Sequence, residues 1–159
     1  MKKKKFNFIA FLVCIFIVFV IVGGAGGIFT SKNTDSEWYK GIKPSITPPN
    51  WVFPVVWNFL FLLISFSLYF AWTSSKNKKQ KKKVALVFGI NFILNILWSV
   101  LFFGLKKTSI AFIEIILLFF SIIAMILTTK KTDKKSAWLL IPYILWVAFA
   151  GILNGIIIF

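Results

Sequence analysis

Five long apolar runs, at roughly 6–30, 51–73, 84–105, 109–129 and 136–159, fill most of the chain, and short lysine-bearing connections join them. Each run reaches the ~20 residues that a helix needs to cross a hydrocarbon layer about 30 Å thick. The expected fold is therefore an all-α integral membrane protein, a bundle of five transmembrane helices forming one domain over residues 1–159. The residue balance agrees. The chain is 59% hydrophobic and 14% charged, against about 25% charged in soluble domains. The connections are too short to hold a separate soluble unit.

The first run follows Lys2 to Lys5, which raises the alternative of a signal peptide. Its uncharged stretch is longer than the 7–15 residues of a typical signal core, and Cys14 follows Val13 rather than a small residue, so the run reads as a retained helix. Its GGAGG stretch, Gly23 to Gly27, spaces glycines for close helix packing or loosens a helix end, and both readings stay open. Lysines set the orientation. The N-terminal tail, NKKQKKK after the second span and KKTDKK after the fourth hold most of them. Lys32, Lys40, Lys43, Lys106 and Lys107 fall on the other side, with Asp35 and Glu37. The positive-inside rule then expects a multi-pass protein of the cell membrane with a cytoplasmic N-terminus and, after five spans, an external C-terminus.

The net charge is +15. The lysines stand in short runs between apolar segments, and no base-reading module is recognisable, so membrane topology accounts for them and nucleic acid is not an expected partner. One cysteine and no histidine exclude an internal disulfide and leave a Cys/His zinc site without its ligands. Cys14 reads as a small core or lipid-facing residue.

In a membrane span the polar residues carry the information. The third run places Asn91, Asn95, Trp98 and Ser99 at steps of four, seven and eight, on one helix face. That face should point into the bundle. Its asparagines either join helices by hydrogen bonds or, at Asn95, face a ligand. Glu114, the only acid inside a run, lies about 7–8 Å along its helix. Proton coupling, ligand contact, a neutral buried acid, and a side chain reaching back to the interface are its readings, the last two preferred. In the fifth run Pro142 should bend the helix. Trp146, Ala150 and Leu153 share its face, a shelf and a gap that suit either a flat ligand or a helix crossing.

The stretch KPSITPPNWVFPVVWNFLF, residues 43 to 61, holds four of the five prolines. Pro44, Pro48 and Pro49 should keep the outer loop extended rather than helical, as a stiff lid over the bundle mouth. Trp38, Tyr39 and Trp51 are expected as interfacial anchors. Trp57, Phe61 and Ser65 follow one another by helical turns beneath the lid.

Taken in order, Trp38-Tyr39, Lys43-Pro44, Pro48-Pro49, Phe53 and Val56-Trp57, then Asn95 with WSVLFFG, then PYILWVAFAGILN, the chain resembles the tryptophan-rich sensory protein or translocator protein family (TspO) from about Trp38 to Asn154. The resemblance implies a five-helix bundle with a pocket under the first outer loop. Pro48, Trp57, Phe61, Asn95, Trp98, Trp146 and Ala150 would line it. The implied ligands are protoporphyrin IX and related tetrapyrroles, or drug-like apolar molecules, with no cofactor required. The implied assembly is a homodimer. Paired tryptophans matching Trp57 and Trp146 are associated in bacterial relatives with light-dependent porphyrin breakdown, so a redox role for these two is the alternative to simple binding. The cholesterol-recognition pattern of animal members has no counterpart in the terminal LNGIIIF. A third class, a proton-coupled exporter of small cations built on Glu114, is the remaining expectation. No nucleophile–base pair supports hydrolysis.

Overall fold

The computed structural model describes residues 6–159, so the expected cytoplasmic lysines Lys2–Lys5 lie outside the described residues. Five helices are long and apolar enough to cross a membrane: α1 (Phe8–Asn33), α3 (Val52–Ser74), α4 (Lys78–Gly104), α5 (Thr108–Lys130) and α6 (Lys134–Ile158). A short helix, α2 (Glu37–Ile42), lies in the loop between the first two spans. No strand occurs among the described residues.

The helix ends follow from capping chemistry. Asn77 accepts a hydrogen bond from the Gln80 amide at 2.9 Å, so α4 starts at Lys78, six residues before the apolar run at 84. The lysine run is thus the polar first turns of the third span. Asp133 caps α6 in the same way, accepting from the Lys135 and Ser136 amides. Ser36 caps α2, which ends at Ile42, with Lys43 already extended before Pro44. A residue preceding proline is driven out of the helical region. The loop therefore departs from the expected wholly extended lid: the prolines enforce that form from Lys43 onward, while the segment upstream of them winds into a helix.

α6 breaks at Leu140 into Lys134–Leu139 and Ile141–Ile158. Pro142 sits in the first turn of the second piece, where its missing N–H costs no helical bond. The first of these pieces is clasped to α3. The Ser67 hydroxyl donates to the Ser136 carbonyl (2.9 Å) and the Ser136 hydroxyl to the Ser67 carbonyl (2.7 Å). α5 packs between α4 and α6.

α1 changes neighbours along its length. Its first half lies on α3, with Phe11 stacked on Phe66 at 4.4 Å and Phe19 edge-on to Phe61 at 5.6 Å. Through wider π-type turns over Phe16–Gly23 its second half moves onto α4. The main core gathers Leu60, Ile64, Phe88, Ile122, Met125 and Tyr143. A smaller core at the loop end holds Tyr39, Phe102, Phe103 and Ala111. Tyr39, expected as an interfacial anchor, is only 5% exposed: α2 turns it inward onto the Phe103 ring, centroids 5.4 Å apart. Trp51 stays at the rim, 67% exposed, and Trp38 lies half-buried with the Lys106 ammonium 5.5 Å from its ring centroid.

Candidate ligand-binding site

Where α1 leaves α3 for α4, the bundle encloses a cavity of about 540 Å³ at the loop end. α3 contributes Phe53, Pro54, Trp57 and Phe61; α6 contributes Trp146, Ala150 and Leu153; α4 contributes Asn95, Trp98 and Phe102. All the residues expected at the site except Pro48 border this one space. Pro48 and Pro49 instead carry the chain across the rim, between a turn closed by the Thr47 amide on the Pro44 carbonyl and one closed by Val52 on Pro49. Asn50 and Trp51 of the same loop reach the cavity in their place.

The aromatic walls are braced by other rings. Trp57 lies 5.3 Å from Phe61 and edge-on to Tyr143 at 6.2 Å. Trp146 is held edge-on to Phe53 at 5.8 Å, and Trp98 stacks on Phe102 at 4.9 Å. Such pairs contribute about 0.5–1.5 kcal/mol each beyond area burial, so the rings facing the cavity have defined orientations.

Asn95 is 8% exposed and anchors a directed chain of hydrogen bonds through the bundle. The Ser121 hydroxyl donates to the Leu118 carbonyl (2.7 Å), leaving its oxygen to accept from Asn91 Nδ2 (2.8 Å). Asn91 Oδ1 then accepts from the Tyr143 hydroxyl (3.1 Å), whose oxygen accepts from Asn95 Nδ2 (3.0 Å). A carbonyl can only accept, so the first bond fixes the direction of the others. Asn95 therefore both joins helices and borders the cavity. Beside it Asn154, absent from the expected set, donates to the Thr108 carbonyl (3.0 Å) and accepts from the Trp98 indole (3.4 Å).

The roof is tied down by Asn50, whose amide donates to Asp35 Oδ1 (2.6 Å) and to the Thr34 carbonyl (3.2 Å). The lining carries one carboxylate, that of Asp35, and no lysine. Outside the spans, burial pushes the Tyr39 hydroxyl above its ordinary pKa, and the hydrogen bond and charge of Glu37 raise that of exposed Lys40.

The wall built from α1, absent from the expected set, combines Phe19, Val22, Thr30 and Ser31 with three glycines, which carry no side chain to mark them. Gly23, Gly26 and Gly27 border the cavity, and α1 runs unbroken through them. Of the two readings of GGAGG, close packing is the one realised. A Cβ on Gly23 would stand 2.7 Å from the Phe61 ring and one on Gly26 3.3 Å from the Ser99 hydroxyl, whereas Gly27 has nothing within 4 Å. The expected pair of glycines four apart, Gly23 and Gly27, is thus not the pair that packs; the close approaches fall at Gly23 and Gly26.

Glu114 is elsewhere. It is 4% exposed, on the inner side of α5, and both its carboxyl oxygens lack a hydrogen-bond partner among the described residues. The expected reach back to the interface is not what the side chain does, and it does not line the cavity.

The sequence relationships agree with this architecture. The model of the TspO/MBR family matches residues 14–159, extending the resemblance from Trp38 back through most of α1. The tryptophan-rich protein TspO of Archaeoglobus fulgidus is 38% identical over 144 residues, 90% of this chain and 92% of that protein. Its namesake from Chlorobaculum tepidum is 36% identical over 135 residues, 84% of each chain. The translocator protein of Sus scrofa is 30% identical over 141 residues, 86% of this chain and 83% of that protein. With five membrane-spanning helices and a match along nearly the whole chain, this protein belongs to the TspO/MBR family of membrane proteins.

Proposed function

We propose that this protein is a membrane receptor for flat apolar tetrapyrroles such as protoporphyrin IX, held in the cavity beneath the first outer loop. The observation that carries the reading is the meeting of Trp57, Trp146 and Asn95, from three different helices, around one space of about 540 Å³. That volume lies within the ~300–1,000 Å³ of small-molecule sites, which pair apolar walls with a few placed polar groups. Indole faces supply stacking area, and Asn95 supplies a hydrogen bond that fixes orientation. Because the lining carries no lysine, the carboxylate edge of the ligand stays at the mouth, on the side of Lys32 in the last turn of α1 and of Lys40 and Lys43 in the loop.

Quenching of tryptophan fluorescence by protoporphyrin IX in purified protein tests this. Saturable quenching is expected, with Asn95→Ala and Trp57→Phe each weakening affinity by about tenfold, equivalent to about 1.4 kcal/mol. Quenching that never saturates, or that both variants leave unchanged, would remove the cavity from the reading. Repeating the titration under illumination reads porphyrin breakdown: a product spectrum that vanishes in Trp57→Phe would convert the receptor into an enzyme.

The same reading takes the N-terminus as cytoplasmic and the C-terminus as external, because the segments 76–83 and 130–135 concentrate lysine at one end of the bundle. Phosphatase fused after Phe159 should be active and a fluorescent protein there dark; the reverse would invert the topology. A second copy of the chain is the expected partner in the bilayer, to be read as dimer mass in nanodiscs.

A further inference from the structure

We propose that the lysine-bearing end of the bundle is a binding surface for anionic phospholipid headgroups. The contacts that join α3 to α6, Ser74 Oγ to Asp133 Oδ2 at 3.1 Å and the Ser67–Ser136 clasp, set the end of α3 beside the start of α6. The turn into α4 and the end of α5 lie at that same end, because successive spans run antiparallel through short connections. Segment 76–83 carries six lysines and segment 130–135 four. All of them are exposed.

Ten lysines face a single acid at this end, and none of them forms an ion pair among the described residues. The only acid in these two segments is Asp133, and its carboxylate already serves the Lys135 and Ser136 amides and the Ser74 hydroxyl. The one ion pair among the described residues, Lys40 with Glu37 at 2.7 Å, is at the opposite end. The first turn of α4 carries no acid, so its lysines also face the positive end of the helix macrodipole. Lys78 and Lys82, and Lys79 and Lys83, are like charges one turn apart, an arrangement that repels. The end is therefore electrostatically incomplete without external anions.

Two exposed indoles fix the depth at which those anions must lie. Trp72, 38% exposed, sits 5.4 Å beneath the Lys81 ammonium. Trp138, 73% exposed, follows Lys134 and Lys135 by one turn on α6. Exposed tryptophans of membrane helices sit at the headgroup level. Lysines beside them reach the phosphate layer while their stems cover apolar surface. Lipid phosphates, rather than anions from bulk water, are the groups present at that depth, and clustered lysines next to a span attract anionic lipid.

The test uses the full chain in nanodiscs of phosphatidylcholine, alone or with part of it replaced by phosphatidylglycerol. Unfolding is followed by tryptophan emission. Phosphatidylglycerol should raise the Tm by several degrees, and added salt should shrink the gain. A variant combining Lys78→Gln, Lys79→Gln, Lys82→Gln and Lys83→Gln should lose most of the gain. Glutamine keeps helix propensity, and a Tm in pure phosphatidylcholine no lower than the parent's shows that the variant folds. Lys106→Gln with Lys107→Gln, at the other end, should keep the full gain. Equal Tm values in the two lipids, or a gain that persists in the fourfold variant, overturn the proposal. So does an equal gain from inorganic phosphate in phosphatidylcholine discs, which would mark a site for free anions.

Discussion

Gly23 and Gly27 stand one turn apart on α1 and border the same cavity, yet a side chain means something different at each. At Gly27 a Cβ meets nothing within 4 Å, so an added side chain grows into the cavity. Gly27→Leu is expected to weaken protoporphyrin binding tenfold or more while leaving the Tm unchanged or slightly higher, since replacing a helical glycine favours the helix by up to about 1 kcal/mol. Gly24→Leu is the control. It also has open space before it but does not line the cavity, so affinity should not move. If both variants bind alike, the α1 wall is not a ligand surface. At Gly23 the new methyl would press on the Phe61 ring at 2.7 Å. That ring has the cavity on its free side, so it can yield at an off-rotamer cost of about 0.5–1.5 kcal/mol. The helix gain roughly offsets this. Gly23→Ala should thus narrow the site more than it destabilises the fold, measured as affinity against Tm. Asn95 was legible as a residue because asparagine is costly in lipid unless paired. Its partner was not, since the spacing within the fifth run does not say that Tyr143 meets Asn91 and Asn95 of another helix.

Among the elements, α2 is the one that seats the roof. It is held to the bundle through Tyr39 and Trp38, on Phe102 and Phe103. Burial keeps the Tyr39 hydroxyl protonated to a pH above its usual value. The sign follows from linkage: the docking it contributes is fully present below the ordinary tyrosine pKa of about 10 and is lost as pH rises through the higher folded value. The Tm of the parent should fall faster than that of Tyr39→Phe as pH is raised beyond about 10, and parallel curves would show that α2 is held by other contacts. At the other end Ser136→Ala removes one hydroxyl of the α3–α6 clasp and leaves the Ser67 hydroxyl its bond to the backbone. Interhelical hydrogen bonds in membranes are worth about 0.6 kcal/mol on average and up to about 1.7, so a Tm loss of a few degrees is expected. No loss would mean that helix packing alone closes that joint. The element starts at Asn77 and Asp133 were not read from the sequence: the apolar runs begin at 84 and 136, whereas these caps start α4 at Lys78 and α6 at Lys134, because lysine-bearing first turns leave no trace in hydropathy. The short α2 was obscured because the prolines after it dominated the reading of the loop.

Across the whole molecule, the lone thiol reports on global opening. Cys14 is 7% exposed in the main core, where α1 lies on α3. A maleimide should therefore modify it only as fast as the bundle opens, and saturating protoporphyrin should slow the reaction by stabilising the closed form. Rapid labelling that ligand leaves untouched would mean that α1 detaches independently. The point matters because α1 completes the cavity while its two halves rest on different helices. It is the span whose departure would open the site most directly.

Apolar runs long enough to cross hydrocarbon determined the helix count, the up-and-down order and the all-α class. Nothing but a helix or a closed barrel satisfies a backbone in lipid, and the runs are too long for strands. Short connections between antiparallel spans determined which ends of the helices gather together, and the helical spacing around Trp57, Asn95 and Trp146 determined which faces turn inward. The meeting of those faces around one space was decided only in three dimensions. α1 crosses from α3 to α4 because glycines let it approach Phe61 and Ser99 closely, and the volume left behind is the cavity. Helical periodicity is local and can be read along one strand of chain. A crossing depends on two surfaces at once, and glycine, which makes this one possible, writes its effect only in what its partner does.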